Sequence, residues 1–207
     1  MTKKRCVIAF LIIVMLLSGA ILINNNVLQQ QIIAADCTDT VEDIVPSEPQ
    51  LVAEYTSLGV PNINSSFKTW MSYRAVTNIK SPQYNFIYTY GWSDEEGFMR
   101  CSGEADLGIE DDYYLIALGS YYGTEIGTKY KITLDTGRVF YGVLADSKAD
   151  KHTNSTNQYV SHNKNIVEFL VDSSKLNKDV KRMGSANVYM PLNGSVVKIE
   201  KINFIYK

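Results

Sequence analysis

Apolar and polar residues alternate in different rhythms along this chain, and each rhythm predicts an element. Residues 6–23 form an unbroken apolar run behind Lys3, Lys4 and Arg5. A run this long reaches the lower end of the roughly 20 residues that span a bilayer, and cationic flanks stay on the cytoplasmic side. The reading is an N-terminal membrane-anchoring helix, single-pass with everything after it extracytoplasmic. Small residues at Ser18-Gly19-Ala20 and Ile33-Ala34-Ala35 keep a cleaved signal and a secreted product as the alternative. Residues 24–64 are polar, carry Pro46, Pro49 and Pro61 and hold no sustained period, so they read as a flexible linker.

From Ser65 the pattern becomes that of a folded domain, residues 65–207. Phe67, Trp70, Met71 and Arg74-Ala75 fall at helical spacing behind Ser65-Ser66 and predict a short docked helix. The aromatic run Tyr84 to Trp92 predicts a strand, turned by Ser93 to Gly97 into a return through Phe98-Met99-Arg100. Glu104 to Asp112 holds five acids without the spacing of a calcium loop, and reads as a solvated loop.

Tyr113 to Gly119 is almost wholly apolar, as in a strand buried on both faces. Tyr130, Ile132 and Leu134 then alternate with Lys129, Lys131 and Thr133, a half-buried strand that Asp135-Thr136-Gly137-Arg138 turns back into Val139 to Leu144. That second strand ends at Asp146. Lys148 to Lys164 is Asn-, Ser- and Thr-rich and predicts an exposed loop, and Ile166 to Val171 a strand with Glu168 inside it. A short helix follows, capped by Asp172 or Ser173, with Leu176, Val180 and Met183 on one face and Gly184 at its end. Two closing strands are expected at Ala186 to Met190 and Val196 to Tyr206. Apolar residues change parity in the second, which predicts a bulge near Glu200.

Composition narrows the function classes. The chain has 207 residues, 45% of them hydrophobic, enough for one domain and its attachments. Twenty basic residues balance 22 acidic ones, and no Lys/Arg cluster outside the N-terminus offers a nucleic-acid footprint. Cys6, Cys37 and Cys101 are too few for a disulfide framework and read as incidental thiols. There is no Gly-x-Ser-x-Gly elbow.

The series Ile116-Ala117-Leu118-Gly119, Ile126-Gly127-Thr128, Leu144-Ala145-Asp146-Ser147 and Val167-Glu168-Phe169 resembles the three-aspartate (3D) domain of bacterial cell-wall proteins. That family includes membrane-bound lytic transglycosylase A and the resuscitation and survival factors. The likeness covers about 113–207. It implies a mainly β fold, a six-stranded double-psi β-barrel with short helices whose remaining strand would come from Tyr84 to Arg100. It also implies peptidoglycan as partner and glycan-strand cleavage without a cofactor. The chain departs from the family pattern: Gly119 stands at the first aspartate, the glycines after the second are missing, and Glu168 stands at the third.

Asp146, at an apolar strand end, is the candidate general acid/base, with Glu168 raising its pKa or orienting it. Asp150 and His152 are further candidates for proton transfer. Tyr121, Tyr122 and Lys148 are candidate glycan contacts. A non-catalytic barrel that binds wall glycan or a protein is the alternative. A metal-dependent hydrolase would need His152 and acids to converge, and their spacing fits no established zinc signature.

Overall fold

The computed structural model describes residues 49–207, beginning with strand β1 (Leu51–Leu58). Then come β2 (Trp70–Ser72), helix α1 (Pro82–Tyr90), and strands β3 (Trp92–Ser93) and β4 (Met99–Cys101). Strands β5 (Tyr113–Leu118), β6 (Lys129–Leu134), β7 (Val139–Ser147) and β8 (Glu168–Val171) lead to helix α2 (Lys178–Met183) and β9 (Val196–Tyr206). The mainly β character is as expected, but the strands number nine, in one mixed sheet. Its order is β1-β9-β6-β7-β5-β4-β3, with β8 on β5 and β2 on β8. The apolar run at 6–23 and the thiols of Cys6 and Cys37 lie outside the described residues.

The centre of the sheet is β5, because its neighbours cover it on both sides and both faces. It pairs parallel with β7, and antiparallel with β4 at one end and β8 at the other. All six of its side chains are buried. Alternate residues feed two cores, as strand geometry requires. Tyr114, Ile116 and Leu118 join Tyr130, Ile132, Leu144, Phe169 and Ile199 on one face. Tyr113, Leu115 and Ala117 join Val143, Ala145, Leu170 and Ile202 on the other, where α1 contributes Ile87. Burying Ile87 is worth about 1.5–3 kcal/mol in apolar transfer alone.

Six expectations need correction. The linker stops short of the domain: Leu51–Leu58 is strand β1, paired with β9 along its whole length. The predicted helix after Ser65 is strand β2 with one 3-10 turn at Tyr73–Ala75, since Trp70 to Ser72 pair in parallel with Phe169 to Val171. The aromatic run is helix α1 instead of a strand. Ser81 caps it by accepting the Tyr84 N–H at 3.1 Å, Pro82 opens it, and Tyr84 stacks on Tyr88 one turn on, ring centroids 4.2 Å apart.

Ala186 to Met190 forms 3-10 turns (Ala186–Val188 and Met190–Leu192), not a strand, because Pro191 and the Ser185 cap hold it tight. The cap of α2 is Asn177, whose Oδ1 accepts the Asp179 and Val180 N–H groups, and Met183 is exposed while Leu176 and Val180 are buried. Finally, the parity change in β9 needs no bulge at Glu200. Ile199 and Ile202 serve opposite cores, and the irregularity falls where Val197 is passed over between Lys198 and Val196.

The turn expected between β3 and β4 is present and depends on Gly97. Its φ is +86°, and a Cβ there would lie 2.5 Å from the Leu176 backbone. Gly97→Ala is therefore expected to destabilise by about 1–3 kcal/mol from backbone strain alone, seen as a lower urea midpoint. An unchanged midpoint would mean that the turn and Leu176 yield freely.

Candidate functional site

The two carboxylates singled out in the sequence reach one another through β5. Ala117 pairs with Asp146 on β7 and with Glu168 on β8, so the acids flank one residue from neighbouring strands. The register slip between Ile116 and Ala117 sets Asp146, in place of Ala145, opposite Ala117. Asp146 Oδ1 accepts the Ser147 N–H at 2.9 Å. Burial pushes the Asp146 carboxyl above the ordinary carboxylate range. The Ser147 N–H pulls it back, Glu168 pushes it up further, and Lys148 lowers it.

Glu168 lines a cavity of about 320 Å³ with Thr69, Lys148, His152, His162, Asn163 and Asn165, and Asp146 does not line it. Thr69 Oγ1 lies 3.1 Å from Glu168 Oε1, and Lys148 Nζ stands 3.5 Å from Oε2. The 148–165 loop brings the two imidazoles to this cavity by folding on itself. Thr153 bridges Val160, the Ser161 N–H donates to the His152 carbonyl at 3.2 Å, and Asn154 Oδ1 accepts from the Gln158 N–H at 2.8 Å. The loop docks on Gly119. A Cβ there would lie 2.0 Å from the Asn157 carbonyl, so the position where the resemblance puts an aspartate has no room for any side chain.

The remaining candidates divide. His152 lines the cavity. Asp150 does not: its Oδ1 accepts from the Ser120 hydroxyl at 2.7 Å and ties the loop to the segment after β5. Tyr122 belongs to the core, where its hydroxyl has no partner, and Tyr121 packs edge-on against it, ring centroids 5.1 Å apart. Neither tyrosine lines the cavity. Lys148, expected as a glycan contact, lines the cavity with a side chain 3% exposed. No three His, Cys, Asp or Glu side chains among the described residues are placed to hold a metal ion. Thr69, Asn163 and Asn165 had no signal as a set, because only the fold joins β2 to the start of β8.

One buried cation had no signal either. Lys68 is fully buried, and its Nζ donates to the Ser66 carbonyl at 3.2 Å and to the Gly194 carbonyl. Burial lowers its pKa to about 8, with Asp135 opposing. No family model, curated protein or solved structure matches the chain.

Proposed function

We propose that the domain acts on the glycan strands of peptidoglycan outside the membrane, with Asp146 as general acid/base and Glu168 as the neighbour that raises its pKa or orients it. The observation that carries this reading is the shared register of Asp146 and Glu168 with Ala117, with Glu168 lining a cavity and Asp146 raised by burial and by Glu168. An acid of that kind can protonate a glycosidic oxygen and then take a proton from a sugar hydroxyl as a cyclic product closes. The hydroxyl of Thr69, the amides of Asn163 and Asn165 and the imidazoles of His152 and His162 suit a ligand rich in hydroxyls.

The double-psi barrel belongs to the same reading and has its own support. Strands β2, β8, β5, β7, β6 and β9 follow one another by pairing, and two of those pairs, β2 with β8 and β5 with β7, are parallel. In the segment ahead of β2, Ser65 Oγ donates to the carbonyl of Val196, the first residue of β9, and accepts its N–H. The sixth strand is then β2, not a strand from Tyr84 to Arg100. Attachment to the membrane would come from residues 6–23.

A non-catalytic glycan-binding barrel is the second reading, favoured by the engagement of both Glu168 oxygens by Thr69 and Lys148. Digestion of purified sacculi by the 207-residue chain separates the two. The wild type is expected to release anhydro-muropeptides, and Asp146→Asn to lose about 10²–10⁴-fold in rate. Sacculus binding without any release would leave the binding module. Equal release by both proteins would discard Asp146 as the acid.

A further inference from the structure

Lys148, Asn165 and Glu168 form a cluster that glycan cleavage does not explain. Lys148 follows the end of β7, Asn165 precedes β8, and Glu168 is the first residue of β8. The lysine side chain is 3% exposed and Asn165 1%. Neighbours fix the asparagine amide: its nitrogen donates to the Val167 carbonyl at 2.5 Å and to the Phe67 carbonyl at 3.3 Å. Its oxygen faces the Thr69 hydroxyl and Lys148 Nζ, the latter at 3.0 Å. Glu168 Oε2 is 3.5 Å from the same Nζ.

A buried primary amine, a carboxamide and a carboxylate thus meet at one point, held by two different segments, the exit of β7 and the entry of β8. An ion pair alone accounts poorly for the arrangement, because desolvating an ammonium costs more than a neighbour at this distance returns. Burial lowers the Lys148 pKa, with Glu168 and Asp146 working against it, and so favours the neutral, nucleophilic amine.

We propose that Lys148 Nζ condenses with Asn165 Cγ to form an intramolecular isopeptide bond, with Glu168 carrying the protons. The Lys148 ammonium first passes a proton to Glu168. The free amine attacks Cγ, so that the Nζ–Cγ bond forms. The Cγ–Nδ2 bond then breaks as Nδ2 receives one proton from Nζ, relayed by Glu168, and leaves as ammonia. Ammonia takes the last proton from Glu168 and departs as ammonium, leaving a carboxylate and a neutral secondary amide. No oxidant or external reactant is needed. The product staples the exit of β7 to the entry of β8 and closes the loop that bears His152 and His162. It also removes the cation that lowers the Asp146 pKa.

Peptide mapping by tandem mass spectrometry of the purified 207-residue chain tests this directly on the wild type. The expected result is a branched peptide joining Lys148 to Asn165, lighter than its two parts by one ammonia, with Lys148 unreactive toward amine acetylation in the unfolded protein. Lys148→Arg and Glu168→Gln should each yield the two linear peptides. Linear peptides from the wild type, with Lys148 acetylated, would overturn the proposal. So would a branched peptide in Glu168→Gln, which would remove the proton carrier. The outcome is independent of glycan cleavage, so either reading can fail without the other.

Discussion

Replacing Phe169 with alanine is expected to cost the domain about 3–5 kcal/mol, more than any other single truncation in the same core. Phe169 is fully buried in β8, between β2 and β5, where the two paired neighbours of its backbone are Trp70 and Ile116. Its ring meets Phe98 and Tyr114 nearly edge-on at 5.5 and 5.4 Å and tilts against Phe140 at 5.6 Å. Truncation therefore removes apolar burial and leaves a void walled by three rings held from different segments. Those rings cannot all collapse inward, because Tyr114 and Phe140 are fixed in β5 and β7 and Phe98 by its bridge to Val171. The urea midpoint should fall at unchanged slope, which assigns the loss to the native state. A loss below about 1 kcal/mol would mean that the interior repacks, contrary to the close packing expected of such a cluster.

Raising the pH from 8 toward 10 should stabilise the wild type relative to Lys68→Met. The folded pKa of Lys68 is about 8, below its ordinary value of 10.5, so between those limits the unfolded chain holds more protons. Stability then rises with pH by up to about 1.4 kcal/mol per unit from this residue. Below pH 8 both states are protonated and the slope vanishes. Cys101, pushed up to about 11 by burial, and Tyr130, pushed up to about 12, act in the opposite direction because the unfolded chain ionises first. Lys129 and Lys148 act in the same direction as Lys68. All are common to both proteins, so the difference between the two stability curves isolates Lys68. Parallel curves would show that its amine stays charged and solvated in the fold.

The parts of the fold that were legible are those where one physical rule acts alone. The continuous apolar run at Tyr113 to Leu118 admitted only a doubly covered strand, and the alternation from Lys129 to Leu134 only a half-buried one. Where two rules compete, the stronger local one was the harder to see. At Tyr84 to Tyr90 aromatic β-propensity loses to a single cap, Ser81-Pro82, and to ring pairs one turn apart. At Trp70 to Ser72 helical spacing loses to a long-range pairing with β8, which no local pattern announces.

The site divides in the same way. Asp146 and Glu168 could be named because one ends an apolar strand and the other is the lone acid inside one. Their common neighbour Ala117 could not, since it depends on a one-residue slip between β5 and β7. Asn165 and Thr69 carry no local mark at all, and their value comes from the amine that the fold brings to them.

The ladder between β1 and β9 also sets the order in which this molecule can assemble. Leu51 pairs with Tyr206, and Gln50 exchanges backbone hydrogen bonds with Lys207. Strand β1 must wait for β9, and β6 keeps an open edge until the same moment. Contacts so distant along the sequence slow folding. The sheet can therefore close only once β9 has been made.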